Sequence, residues 1–229
     1  MKQYSRDEVA RVIDHSLLHP AMTDAELAEG CQAAASWGVA CACVKPHFVG
    51  RARQLLNGSQ VKAGTTIGFP HGGHAISVKL TEVRVALSEG AEELDMVVNV
   101  GKVKGAEWGY VQAEIEEIVR SAHQGGALLK VIFENYYLSD EEKRTLCRIS
   151  REAGADFVKT STGYAAGGAT DEDLRLMLDE ARDEIGVKAA GGVRTYEHVA
   201  RLIDMGVRRI GASQTEAILV SCVGKGGSD

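Results

Sequence analysis

The sequence predicts a (β/α)8 barrel in a single domain. Three observations predict it. Short apolar runs of strand length alternate with longer helical runs about eight times along 229 residues. No linker or low-complexity segment divides them, and α/β barrels of this size form one unit. No Gly-x-Gly-x-x-Gly follows the early strands, which disfavours the alternative of an open, doubly wound dinucleotide-binding sheet. The barrel domain is assigned to residues 1–223, and the glycine-rich tail 224–229 is expected to be disordered.

Each element has a local reason. Residues 11–17 read as a short first strand, and Thr23-Asp24-Ala25-Glu26 is a capping box that opens a helix running to Trp37. Gly38 stops that helix. Residues 39–44 form an apolar strand-length run, Pro46 begins the next helix, and Asn57-Gly58 ends it. Residues 61–69 are rich in β-branched side chains and read as a strand with Pro70-His71-Gly72-Gly73 as its loop. A helix over 75–89 closes at Gly90. Strand 93–98 is followed by a strongly periodic helix, 107–122, with Ile115, Ile118 and Val119 on one face. Strand 127–133 ends at Glu134, and Ser139-Asp140-Glu141-Glu142 caps a helix reaching Gly154. The remaining elements are strand 156–160, helix 170–184, strand 187–190, helix 195–205, strand 208–211 and a last helix over 214–220.

Composition narrows the function classes. The net charge is −6 and no Lys/Arg-rich run occurs, so neither nucleic acid nor an anionic membrane is expected as partner. The first residues lack the apolar core of a signal peptide, and no apolar run approaches the length of a membrane span. Five cysteines, an odd count in a large domain, point to reduced thiols and a cytoplasmic protein. Composition leaves the oligomeric state open, a homo-oligomer included.

In a barrel, functional side chains come from the carboxyl ends of the strands. The charges there are few. Asp95 interrupts an apolar strand, Lys159 ends its strand before Thr160-Ser161-Thr162-Gly163, and Lys188 lies in Val187-Lys188-Ala189-Ala190. Lys130 and Glu134 flank an apolar triplet, and Asp14 and His15 lie in the first strand. Taken singly, each has an ordinary reading as an ion-pair partner or a snorkelling side chain. Charges at similar depth in successive strands are harder to explain that way, because a packed barrel interior disfavours them. Burial lowers a lysine pKa, and a second cation nearby lowers it further, so Lys159 next to Lys188 is expected to supply a neutral amine. A carboxylate such as Asp95 keeps the second lysine charged and exchanges protons with it. That set suits carbon–carbon cleavage through an iminium and requires no cofactor or metal.

An anion site is read separately from Gly191-Gly192-Val193-Arg194 and Gly211-Ala212-Ser213-Gln214 on the last two strands. Glycines let backbone N–H groups approach a phosphate closely, and loops after strands 7 and 8 are its usual place in barrels. His71 and His74 have ligand-like spacing, which leaves a metal-dependent aldolase as an alternative.

The chain also resembles the deoxyribose-phosphate aldolases. The resemblance rests on Ile13-Asp14-His15-Ser16-Leu17-Leu18, Gly68-Phe69-Pro70-His71-Gly72, Glu93-Leu94-Asp95-Met96-Val97-Val98-Asn99, Val158-Lys159-Thr160-Ser161-Thr162-Gly163, Val187-Lys188-Ala189-Ala190-Gly191-Gly192-Val193-Arg194 and Ile210-Gly211-Ala212-Ser213. These segments span nearly the whole chain in the family's order. The resemblance implies a class I aldolase that reversibly cleaves 2-deoxy-D-ribose 5-phosphate to D-glyceraldehyde 3-phosphate and acetaldehyde, in deoxynucleoside catabolism. It implies Lys159 as the Schiff-base lysine and Asp95 with Lys188 as the proton donor/acceptor pair. Asp14, Ser16, Leu18, Cys43, Lys130 and Thr162 are expected in the substrate pocket, and Gly163, Gly191, Gly192, Gly211 and Ser213 around the phosphate. The chain departs from the common pattern at His19 (often lysine), Ser16 (often threonine), Ala190 (usually serine), and Gln214 (serine in some members). Tyr164 stands where some members have a phosphate-binding lysine, and the tail lacks the tyrosine that ends some of them.

Overall fold

A computed structural model describes residues 2–222 of the chain, so the expectation for the tail 224–229 lies outside the described residues. Eight parallel strands close into a barrel in chain order: β1 (Ile13–Leu17), β2 (Cys41–Val44), β3 (Lys62–Ile67), β4 (Glu93–Val97), β5 (Leu128–Ile132), β6 (Phe157–Lys159), β7 (Gly186–Ala190) and β8 (Arg209–Ala212), with β8 pairing back to β1. The barrel, and not the open sheet, is the observed architecture.

Helices α1 (Arg6–Ala10), α2 (Asp24–Trp37), α3 (Val49–Leu55), α4 (Ile76–Ser88), α5 (Val100–Lys104), α6 (Trp108–Gln124), α7 (Asp140–Glu152), α8 (Asp171–Ala181), α9 (Tyr196–Met205) and α10 (Thr215–Val220) accompany the strands. Their starts follow local chemistry. Thr23 and Ser139 each accept from the third helical N–H while Glu26 and Glu142 reach back to the cap. The short α1 has the same device in Ser5 and Glu8, a signal the sequence carried although the first strand was expected from residue 11 onward. Three details depart from expectation. Pro46 opens a single 3-10 turn, Pro46–Phe48, ahead of α3. A second 3-10 turn, Asn135–Tyr137, and α5 lie in stretches read as loop. Helix α8 stops at Ala181 rather than 184, because Arg182 and Asp183 take positive φ angles of 51° and 59° and break the ladder.

The apolar core lies outside the strands, between sheet and helices. Leu94, Leu129, Val131, Val158, Val187 and Ile210 face outward into a buried layer with Val83, Ile115, Ile118, Leu146, Met177 and Leu202. Side chains alternate along a strand, so the residue next to each of these points into the barrel. In-register neighbours share a face, and the register pairs Asp95 with Lys130, Lys130 with Phe157, and Lys159 with Lys188. Hence the interior receives charges. Its floor is tight: a Cβ on Gly186 would lie 2.3 Å from the Phe157 ring, so no larger residue fits opposite that phenyl. The Arg209 guanidinium stacks over the same ring at 5.7 Å.

Candidate active site

Lys159 is the last residue of β6, and it is 4% exposed at the carboxyl end of the barrel. Its Nζ donates to Asp95 Oδ2 at 2.7 Å. Lys188 on β7 donates to the same oxygen at 2.7 Å and to Asp14 Oδ2 at 2.5 Å. Beneath them, Lys130 donates to Asp95 Oδ1 at 2.9 Å and Glu93 Oε2 at 2.6 Å, and lies 3.2 Å from Asp14 Oδ2. Arg209 ends the network, bonding Asp14 at 2.6 Å and Glu93 at 2.8 Å.

Three carboxylates (Asp14, Glu93, Asp95) thus meet four cationic side chains (Lys130, Lys159, Lys188, Arg209). In a desolvated interior an unmatched charge is costly, and one of the four cations is in excess. Lys159 has a single carboxylate partner; Lys130 has three and Lys188 two. Burial, aided by the Lys188 charge and opposed by Asp95, pushes the Lys159 amine below the ordinary lysine value of 10.5. For Lys188 and Lys130 burial acts the same way, but their carboxylates outweigh it and hold both above that value. Desolvation likewise opposes ionisation of Asp14 and Asp95; the surrounding cations overcome it and hold both well below the ordinary carboxylate range.

Above this network opens a cavity of about 620 Å³. Its wall contains Lys159, Lys188, Asp14, Ser16, Leu18, Cys43 and Thr162, together with Gly163, Gly191, Gly192, Gly211 and Ser213. Asp95 reaches the cavity through its two lysines. Lys130 is not on the wall; fully buried, it sits beneath Asp95 and fixes that carboxylate. His15 faces away from the cavity: its Nδ1 is 2.8 Å from Thr215 Oγ1 and its ring meets Trp37 edge-on at 5.3 Å. Gly163, Gly191 and Gly192 have φ of 89°, 87° and 87°, a left-handed backbone that turns the loops after β6 and β7 around the cavity mouth. Arg194 and His19 line that mouth as well, so its walls carry more basic than acidic groups although the whole chain is acidic.

Sequence reasoning passed over two residues of this rim. In the sequence Glu134 is a strand-end charge and nothing more. It adopts φ 57°, ψ 64°, and its carboxylate accepts the backbone N–H of Thr162 at 3.3 Å and the Thr162 hydroxyl. Tyr164, in the sequence a departure from a family pattern, lines the cavity and donates its hydroxyl to Leu18 O at 2.9 Å. Among the described residues one group has metal-ligand proximity, Asp14, Cys41 and Glu93, within 4.8 Å of one another. Lys130 and Arg209 already occupy its carboxylates, and burial holds the Cys41 thiol well above its ordinary pKa, so a divalent ion would have to displace both cations. His71 and His74 are not part of that group.

Comparison with known proteins gives the family. A model of the DeoC/LacD family aldolases matches residues 9–224. The chain belongs to that family. As a DeoC/LacD family aldolase it is a carbon–carbon lyase. Its relatives include the deoxyribose-phosphate aldolase of Rhodopirellula baltica, 47% identical over 219 residues, 96% of this chain and 91% of that one. The deoxyribose-phosphate aldolase of Thermococcus gammatolerans is 47% identical over 208 residues, 90% of this chain and 92% of its own. Among solved structures, the tetrameric deoxyribose phosphate aldolase of Aeropyrum pernix superposes with a TM-score of 0.88 at 33% identity, over 95% of this chain and 92% of that one. Among the described residues no helix of this aldolase is long and apolar enough to cross a membrane.

Proposed function

We propose that this aldolase reversibly cleaves 2-deoxy-D-ribose 5-phosphate to D-glyceraldehyde 3-phosphate and acetaldehyde through a Schiff base on Lys159. The observation that carries the proposal is that Lys159 and Lys188 share one oxygen of Asp95 beneath an open, basic-lined cavity. The names of the relatives at 47% identity support the substrate.

The chemistry follows from the charges. The neutral Lys159 amine attacks C1 of the open-chain sugar, and loss of water from the carbinolamine leaves an iminium. The Asp95–Lys188 pair, joined at 2.7 Å through the Asp95 Oδ2 that also lies 2.7 Å from the amine, accepts the C3 hydroxyl proton. The C2–C3 bond then breaks. Its electrons flow into the iminium to give an enamine, and C3 becomes the carbonyl carbon of glyceraldehyde 3-phosphate. The same pair returns a proton to C2, and water hydrolyses the resulting iminium to acetaldehyde and free Lys159. Asp14 and Lys130 act as positioning residues by holding Lys188 and Asp95. Ser16, Leu18, Cys43 and Thr162 line the path of the sugar. Gly163, Gly191, Gly192, Gly211 and Ser213 take the phosphate at the mouth, where backbone N–H groups offer donors without adding a charge. Deoxynucleoside catabolism supplies such a substrate. As in the Aeropyrum pernix relative, a homo-oligomer is the proposed assembly.

Incubation with deoxyribose 5-phosphate, borohydride reduction and peptide mapping tests the proposal. The expected result is an adduct on Lys159 that is absent in Lys159→Ala. An adduct elsewhere, or activity lost to EDTA and restored by zinc, would overturn it.

A further inference from the structure

Next to the main cavity lies a side pocket of about 80 Å³, lined by Pro70, His71, Val100, Glu134, Tyr137 and Ala165. Thr162 and Tyr164 are the residues common to both walls. Tyr164 is 47% exposed, yet its ring is held from two sides of the rim. Its hydroxyl donates to Leu18 O, beyond β1, at 2.9 Å. Its ring meets Phe69, beyond β3, edge-on at 5.4 Å and 89°. Its own N–H donates to Thr162 Oγ1 at 3.0 Å, and that hydroxyl donates to Glu134. Three rim loops therefore fix one phenol between two spaces.

We infer that Tyr164 is a specificity-determining residue, a rigid partition that ends the acceptor-aldehyde path and keeps the side pocket closed to it. The inference rests on the aldolase reading above and adds what selects the acceptor. One extra or missing methylene in a hydrophobic pocket is typically worth about ten- to two-hundred-fold in discrimination. Behind the ring the pocket is lined by Pro70, Val100, Ala165, Tyr137 and the one further polar residue His71, and Glu134 is already occupied by Thr162. The acceptor class it would take is therefore an unphosphorylated aldehyde carrying an aryl group, whose ring would replace the phenol face removed from the wall.

The test measures addition of acetaldehyde to phenylacetaldehyde and to D-glyceraldehyde 3-phosphate, as the ratio of the two kcat/KM values. Tyr164→Ala is expected to raise that ratio tenfold or more, with Tyr164→Leu serving the same comparison should the alanine variant fail to fold. Val100→Phe added to Tyr164→Ala fills the side pocket and should return the ratio to near the wild-type value. Tyr164→Phe loses only the tether and should shift the ratio less than Tyr164→Ala. A ratio unchanged in Tyr164→Ala, a gain that survives Val100→Phe, or a Tyr164→Phe shift equal to that of the alanine variant would each overturn the partition. Absence of a Lys159 adduct in the wild-type protein would sink the aldolase reading and this inference together. Wild-type turnover with an unchanged ratio sinks the partition alone.

Discussion

Lys159 and Lys188 stand side by side in register on β6 and β7, and both end on the same oxygen of Asp95, each at 2.7 Å. Two neighbouring lysines in one environment would titrate alike; these do not, because only Lys188 has a second carboxylate, Asp14. Burial is common to both, so the extra anion decides which amine keeps its proton. The asymmetry gives a pair of like residues the different charge states that the proposed nucleophile and acid require.

Removing the proposed acid, Lys188, should therefore slow the reaction and shift its pH profile. In Lys188→Met the like charge that helps to depress Lys159 is gone, while Asp95 remains to favour the charged amine. The Lys159 pKa rises, so the acid limb of kcat/KM moves to higher pH. At neutral pH the rate should fall by a factor on the order of 10²–10⁴, the usual weight of a positioned proton donor. A pH–rate series on the residual activity, paired with borohydride trapping at each pH, checks both. A limb that stays in place would show that Lys188 does not tune Lys159.

Asp95→Asn should be costly in a different currency. The carboxylate binds Lys130, Lys159 and Lys188, and a neutral amide leaves Lys159 with no carboxylate partner, Lys188 with Asp14, and Lys130 with Asp14 and Glu93. Loss of one partner from a buried ion-pair network typically costs about 3–5 kcal/mol. The network can also shed charge by releasing the Lys159 proton more easily, since Asp95 is what raises that pKa. Denaturant unfolding should show the lost stability. Adduct formation should persist at lower pH than in the wild type, while turnover is lost.

Much of this arrangement was legible in the sequence because strands alternate. Asp95, Lys159 and Lys188 interrupt apolar strands, and the period of two places each opposite its outward neighbours Leu94, Val158 and Val187. Depth was not legible. Lys130 shares their face and pairs in register with Asp95, but lies two residues below Ile132, the register partner of Lys159, a level set by the stagger of neighbouring strands rather than by any local pattern. Helices α1 and α5 are five residues each, too short to build a periodic signal against the surrounding loop. Tyr164 reaches a carbonyl 146 residues away, a contact that exists only once the barrel has closed.

The buried pair behind β4 offers a stability test away from the chemistry. Lys79 and Glu114 are both fully buried, 2.7 Å apart, and Lys79 also donates to Val97 O at 2.6 Å while Glu114 accepts Asn99 N–H at 2.9 Å. Burial moves Lys79 down and Glu114 up, each towards its neutral form, with the partner opposing the move. Lys79→Met should cost about 3–5 kcal/mol by leaving a carboxylate unpaired, and the double variant Lys79→Met/Glu114→Leu should recover much of it. Urea unfolding of the four proteins in the cycle gives the coupling. A double variant no more stable than Lys79→Met would indicate that the bonds to Val97 and Asn99, rather than the ion pair, hold these helices.

His15 predicts how the fold responds to acid. Burial pushes its pKa down from 6.5 to about 4, and its ring packs between Thr215 and Trp37 as the neutral form. Above pH 6.5 neither the folded nor the unfolded chain protonates it, and it contributes nothing to the pH dependence. Between 6.5 and 4 only the unfolded chain takes the proton, so stability falls as pH falls. Below 4 both states carry the proton and this loss levels off, at about 3 kcal/mol in total. Asp14 and Asp95, held below the ordinary carboxylate range, add their own loss only beneath pH 3.8, so the two effects occupy separate windows. In His15→Gln the amide can still bond Thr215 but does not titrate. Chemical denaturation across pH 4 to 7 should give a sloping wild-type stability and a flatter one for the variant; parallel curves would mean that the imidazole takes up its proton in the folded barrel as readily as in the open chain.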